Sequence, residues 1–158
     1  MRIHIRWLIK RDMPEVLAIE AASFEFPWME DDFIRCLRQR NCISMVAEHD
    51  DQVVGFMIYE LNKSHIHVLN LAVAQACRSH GVGLLLVDEL KSKLSVRRRE
   101  RLEVWVRESN LDAQVFWRAH GFVAVNVIRD AYDNCDEAAY VMRFRVEWQD
   151  RVLEGHCK

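Results

Sequence analysis

The segment His65-Ile-His-Val-Leu-Asn-Leu-Ala-Val73, the bend Arg78-Ser-His-Gly-Val-Gly83 and the apolar run that follows constrain this chain more than any other feature. The first segment reads as a strand. Leu84, Leu85, Val87, Leu90 and Leu94 recur at helical spacing, which predicts a helix over Val82–Leu94. Glycines at the bend let the backbone turn tightly and approach a ligand. They stand just before a helix N-terminus, where free N–H groups and the macrodipole favour a phosphate. A lone G-x-G in this setting more often only shapes a turn. No G-K-S/T follows, so the bend is not a P-loop; position 86 is Leu, so it is not the dinucleotide G-x-G-x-x-G.

The rest of the chain supplies the partners this strand and helix need. Ile3, Ile5, Trp7 and Ile9 alternate onto one face and predict a first strand. Asp12 is placed as the N-cap of a helix to about Phe24, with Pro14 in its first turn. Phe26-Pro27-Trp28 breaks that helix, because proline disfavours helix for the residue before it. A second helix is expected over 30–40, with Phe33, Ile34 and Leu37 as its apolar stripe. Strands are expected over 43–48 and 52–61, joined by His49-Asp-Asp51. Leu102, Val104 and Val106 alternate as a fifth strand. A helix over 111–120 closes at Gly121, the residue type favoured past a helix end. Two last strands fall at 122–129 and 138–146, and the tail after Val146 reads as a short helix or a frayed end. Strand–helix–strand crossings require parallel pairs and hairpins require antiparallel ones. The fold class is α/β (α+β): a mixed, mostly antiparallel sheet of about seven strands with about four helices.

Composition excludes several alternatives. A chain of 158 residues fits one domain, 1–158, with 146–158 as its tail. Five Trp, seven Phe and only two Pro argue against disorder. The net charge of −2 gives no global basic footprint, so no nucleic-acid partner is expected. Arg97–Arg101 is charged, but Glu100 and Glu103 interleave with it, which suits a solvated turn. No apolar run reaches the ~18 residues of a membrane span, and no signal-peptide core is visible, so a cytoplasmic location without membrane association is expected. Cys36, Cys42, Cys77, Cys135 and Cys157 are widely spaced with no C-x-x-C, so no metal or disulfide framework is expected.

The whole chain from about residue 3 to 145 resembles the GNAT acetyltransferase superfamily. Arg78-x-x-Gly81-x-Gly83 fits its acetyl-CoA signature, and Asn110-x-x-Ala113-x-x-Phe116-Trp117-x-x-x-Gly121-Phe122 resembles its second cofactor signature. Within the superfamily the chain looks most like the RimI type, which acetylates the N-terminal alanine of a ribosomal protein. Phe26-Pro27-Trp28, Asn70-Leu-Ala-Val73, Val106-Arg-Glu-Ser-Asn110, Arg129-Asp-Ala-Tyr132 and Ala139-Tyr-Val-Met142 carry that likeness. The resemblance implies a GNAT fold and acetyl-CoA as co-substrate. The pantetheine arm would lie along Leu71-Ala72-Val73. The pyrophosphate would sit on N–H groups from Ser79, His80, Gly81, Val82, Gly83 and Leu84, with Arg78 near. Asn110 would hold the pantetheine, and Trp117 would also face the cofactor. Trp28, Trp105 and Tyr132 would line the acceptor groove. RimI-like chains usually carry more basic residues where Ser79, His80 and Leu84 stand, so fewer charge-assisted hydrogen bonds are expected here.

Counted without gaps from Asn110, the RimI-type general base falls on Trp105 and the tyrosine acid on Trp117. An indole N–H donates a hydrogen bond but does not titrate, so neither residue can carry that proton. Two substitutes stand close in sequence. His67 occupies the fourth-strand position where other superfamily members place a Glu or Tyr base, and imidazole's unperturbed pKa of ~6.5 suits a base near neutral pH. Glu103 lies two residues before Trp105 and so points to the same sheet face. Each also has a structural reading: His67 as a packed or surface histidine beside His65, and Glu103 as a partner of the neighbouring arginines. The expected function is acetyl-CoA-dependent N-acetylation of an amine, the N-terminal amine of a (ribosomal) protein, by direct attack on the thioester. A catalytically impaired acyl-CoA-binding or interaction domain, and a small-amine acetyltransferase, remain as alternatives.

Overall fold

The structure, a computed structural model, describes residues 1–133 and 135–148. Its elements in chain order are β1 His4–Trp7, α1 Met13–Ser23, α2 Glu30–Arg38, β2 Cys42–His49, β3 Gln52–Leu61, β4 His65–Val73, α3 Val82–Ser92, β5 Arg101–Arg107, α4 Leu111–Ala119, β6 Val123–Ile128 and β7 Ala139–Arg145. Short 3-10 turns stand at Lys10–Asp12 and Gln75–Cys77. The strands form one seven-stranded sheet in the order β1-β2-β3-β4-β5-β7-β6. The pairings β1–β2, β2–β3, β5–β7 and β6–β7 are antiparallel. Residues 146–148 begin a helical turn, and the expected tail structure beyond them lies outside the described residues. Among the described residues no helix is long and apolar enough to cross a membrane.

The chain divides into two compact units: Met1–Leu61 with Val68–Glu89, and Asn62–His67 with the chain from Leu90 onward. The first unit is built on Val16, Phe33, Val46, Phe56 and Ile58, all fully buried. Phe33 stacks edge-on against Phe56, with ring centroids 5.6 Å apart. Burying a side chain of this size contributes about 1.5–3 kcal/mol, so these few residues account for much of the unit's cohesion. Gly55 of β3 belongs to the same packing. A Cβ there would stand 3.1 Å from the Ala72 carbonyl and 3.3 Å from Val82, so only glycine lets these backbones and α3 approach. The second unit buries Leu102, Phe122 and Phe144. Gly121 has φ +90°, so the end of α4 needs glycine for its backbone, and a Cβ there would only touch the Phe144 ring, at 3.4 Å.

Four local expectations change. The Ile3-Ile5-Trp7-Ile9 face is not a core face: Trp7 is 62% exposed and Ile9 45%, while Leu8 is buried. Strand β1 is an edge strand, and it is anchored by polar contacts instead, because Arg6 pairs with both Asp12 and Glu48. Asp12 stands at the N-cap of α1 as expected, but its side chain makes no capping bond to that helix. Its carboxylate accepts the Ile9 N–H at 2.9 Å, closing the preceding 3-10 turn. In α2 the buried residues are Phe33 and Cys36, and Leu37 is exposed. In α3 the buried stripe is Val82, Leu86, Val87 and Leu90, with Leu84 and Leu85 exposed. The run Val82–Val87 is apolar all round apart from Gly83, so its periodicity cannot choose a face. That helix also stops earlier, at Ser92, where Lys93 and Leu94 turn to i−3 bonds.

Candidate active site

The first unit contains the glycine bend. Ser79 and Gly81 both have left-handed backbones, φ +67° and +81°. Gly81 takes this conformation at no steric cost, whereas Ser79 is held there against its preference. Left-handed residues in a turn of this kind are compatible with a nest, a concavity of backbone N–H groups that binds anions. The bond from Leu85 N–H to Gly81 C=O opens α3, so the N–H groups of Val82, Gly83 and Leu84 precede the helical ladder. No atom lies within 4 Å of a Cβ built on Gly81, so a ligand can reach the backbone there. Ser79, His80, Gly81 and Leu84 are exposed, Gly83 is half-buried, and the Val82 side chain is buried, leaving its N–H to serve. Arg78 is exposed but engaged: Nε donates to the Val73 carbonyl and Nη2 to Ser23 Oγ, both at 3.2 Å. Leu71 and Val73 lie half-buried on one face of β4, and Ala72 is buried on the other.

The same unit fixes the loop between α1 and α2. Trp28 packs edge-on against Phe33, with centroids 5.2 Å apart. Its backbone N–H donates to Glu20 Oε1 at 3.0 Å, and Asn70 Nδ2 donates to Glu20 Oε2 at 2.8 Å. Burial pushes the Glu20 carboxyl above the ordinary range, against the pull of those two bonds.

In the second unit His67 of β4 stands beside Trp105 of β5. His67 is half-buried, and its ring lies 5.7 Å from that of Trp105, tilted by 41°. Trp105 is 41% exposed, so part of its indole is open to solvent. Glu103 is clamped: Arg101 Nε donates to its Oε1 at 3.0 Å, and Arg143 donates to the same oxygen. Burial opposes ionisation of Glu103, but the two arginines outweigh it and hold its pKa below the usual carboxylate range. A carboxylate so stabilised is a weak proton acceptor near neutral pH.

Asn110 is the N-cap of α4. Its Oδ1 accepts from Ala113 N–H at 3.1 Å, so a ligand would meet the amide nitrogen as donor. Trp117 is only 5% exposed and packs between Phe116 and Phe122. Tyr132 is half-buried beneath Arg107, whose guanidinium carbon lies 3.7 Å from the ring centroid; burial raises its phenol pKa. Sequence reasoning missed the left-handed Ser79, the Glu20–Asn70 pair and the Arg107–Tyr132 stack. A glutamate inside the apolar stripe of α1, next to Ile19, was the one available signal for the second of these.

Residues 6–122 match the acetyltransferase (GNAT) family. The chain belongs to that family and is an acetyltransferase of the GNAT class. It is similar to an N-alpha-acetyltransferase of Sulfurisphaera tokodaii, at 27% identity over 144 residues, 83% of this chain and 86% of the relative. It is also similar to the ribosomal protein bS18-alanine N-acetyltransferase of Haemophilus ducreyi, at 24% identity over 141 residues, 87% of this chain and 97% of the relative. Its fold resembles the crystal structure of the ribosomal-protein-S18-alanine N-acetyltransferase from Escherichia coli. That match has a TM-score of 0.78 and 24% identity, and covers 92% of this chain and 94% of that one.

Proposed function

We propose that this acetyltransferase is a single domain that uses acetyl-CoA to acetylate the N-terminal amine of a protein, a ribosomal protein in the cytoplasm being the acceptor class its relatives suggest. The observation that carries the reading is the loop Arg78–Gly83, where left-handed Ser79 and Gly81 lead into the first turn of α3. N–H groups in that geometry suit a pyrophosphate. Leu71–Val73 would receive the pantetheine arm, with the Asn110 amide nitrogen as a donor. Swinging Arg78 off the Val73 carbonyl would release that acceptor to a ligand amide.

Acetyl-CoA, when bound, supplies the acetyl thioester. The acceptor amine attacks the acetyl carbon in its neutral form, the C–S bond breaks and the thiolate leaves. The proton shed by the new amide nitrogen goes to His67, directly or through one water. Glu103 is the weaker candidate, because its carboxylate is committed to Arg101 and Arg143. The leaving thiol, with a pKa of ~8.5, needs no acid to depart. That suits a chain whose family acid position is Trp117. Trp28 in the first unit, and Trp105 and Tyr132 in the second, are the residues proposed to meet the acceptor.

A second reading has its own observation. The family acid position is sealed in an aromatic cluster at Trp117, and the base position is an indole, which fits a domain that binds acyl-CoA without turning it over. One experiment separates the two. The protein is incubated with labelled acetyl-CoA and peptides beginning with Ala, Ser, Thr or Met, with an N-blocked lysine peptide and a small amine as controls. Label on the N-terminal peptides supports the enzyme reading. Acetyl-CoA binding with no labelled acceptor supports the binding module.

A further inference from the structure

Glu20 is a carboxylate buried to 1% exposure inside α1, and the chemistry proposed above does not use it. Burying such a group is costly unless its oxygens are bonded. Both are. One takes the backbone N–H of Trp28 and the other the side-chain amide of Asn70, itself only 8% exposed. The two partners come from different places. Trp28 ends the Phe26-Pro27-Trp28 loop, whose backbone leaves helix at Phe24. Asn70 sits on β4, one residue before Leu71-Ala72-Val73. Carboxylate bonds to N–H donors are about twice as strong as neutral ones, and they are stronger still where water is excluded. The Trp28 ring is pinned independently, edge-on to Phe33.

We infer that Glu20 is a positioning residue for the acceptor. By tying the Trp28 peptide to Asn70, it sets the α1–α2 loop at a fixed distance from the strand that would carry the acetyl donor. This rests on the acceptor and donor placements proposed above. Without the tie, Pro27 and the Trp28–Phe33 ring contact still restrict the loop, but the Trp28 peptide loses its hydrogen-bonded link to β4. An acceptor amine would then be presented out of line, while the phosphate loop at Arg78–Gly83 would be unaffected.

The test uses Glu20→Ala, Asn70→Ala and the conservative Glu20→Gln. In Glu20→Gln the amide oxygen still accepts from Trp28, and the Asn70 amide can flip to accept from the new NH2. Amide hydrogen exchange and steady-state kinetics are read together. In both alanine variants, exchange over residues 24–29 rises about tenfold or more while residues 78–84 keep wild-type rates. Acceptor KM rises by a similar factor with acetyl-CoA Kd within twofold, and Glu20→Gln restores both. Wild-type exchange over 24–29 in Asn70→Ala, which leaves Glu20 in place and keeps the inference testable if Glu20→Ala does not fold, overturns it. So does a parallel loss of acetyl-CoA affinity. If wild-type protein labels no acceptor, the functional reading fails, and the exchange contrast still decides whether Glu20 fixes the loop.

Discussion

The rings of His67 and Trp105 lie 5.7 Å apart on β4 and β5, so the histidine proposed as the base stands directly beside an indole. Indole cannot accept a proton there. His67→Ala should therefore lower kcat about 10²-fold, within the usual range of general-base effects, and leave acetyl-CoA binding nearly intact. Glu103→Gln should change kcat only a few-fold, because its oxygen is already shared by two arginines. Steady-state kinetics on the two variants checks the ranking; equal effects, or none for His67, would remove the histidine from the mechanism.

The glycine bend can be tested at two positions with different physics. At Gly81 there is open space for a methyl group, but φ is +81°. Gly81→Ala should fold, strain the loop by about 1–2 kcal/mol and weaken acetyl-CoA binding by up to about tenfold as the N–H groups reorient. Gly83→Asp puts a carboxylate against the proposed pyrophosphate site and should abolish binding. Calorimetry on the folded variants reads both. Unchanged affinity in Gly83→Asp would move the pyrophosphate elsewhere.

The sequence makes β3, β4 and the start of α3 legible to the residue, because turn residues bracket each one: Asp50-Asp51, Asn62-Lys63-Ser64 and Gly81. The faces of helices are less legible. Nothing in the apolar run Val82–Val87 tells which side meets the core. Packing around Gly55 makes that choice, placing Val82 and Leu86 against β3. The loop signature names the residues of the proposed phosphate site, but serine chemistry gives no hint that Ser79 is left-handed. The Glu20–Asn70 bond is hidden for another reason: the partners are 50 residues apart, and each alone reads as an ordinary polar residue.

Asp12 should set part of the acid limit of stability. It is 3% exposed, and Arg6 meets it through both Nη atoms at 2.8 and 2.9 Å. The Arg6 hydrogen bonds, against the cost of burial, hold its pKa below the ordinary value. With the native pKa below the unfolded one, the unfolded chain takes up protons first as pH falls. The contribution is complete above the ordinary carboxylate pKa of ~3.9 and disappears as pH drops through the native value. Asp12→Asn should cost about 2 kcal/mol at pH ~7, discounted because Arg6 is partly exposed. That gap should shrink in urea titrations near pH ~3. A gap that stays constant with pH would mean Asp12 acts by packing alone.

Acceptor choice should follow from the ionisation of the amine if His67, beside Trp105, is the proton acceptor proposed above. An N-terminal amine with a pKa of about 7.7–8 is roughly a quarter to 40% neutral at pH ~7.5, whereas a lysine near 10.4 is neutral only about 0.1% of the time. A histidine that contributes about 10²-fold to either amine alike leaves that difference, worth more than 10²-fold, in place. N-terminal peptides should therefore outpace the N-blocked lysine peptide by more than tenfold in kcat/KM. The rate should climb with pH and level off near the amine pKa of about 7.7–8. In His67→Ala the climb should persist, because it then reports the amine's own neutral fraction, while the plateau falls. Equal turnover of lysine, or a rate that keeps rising toward pH ~10, would show that the acceptor is a side-chain amine.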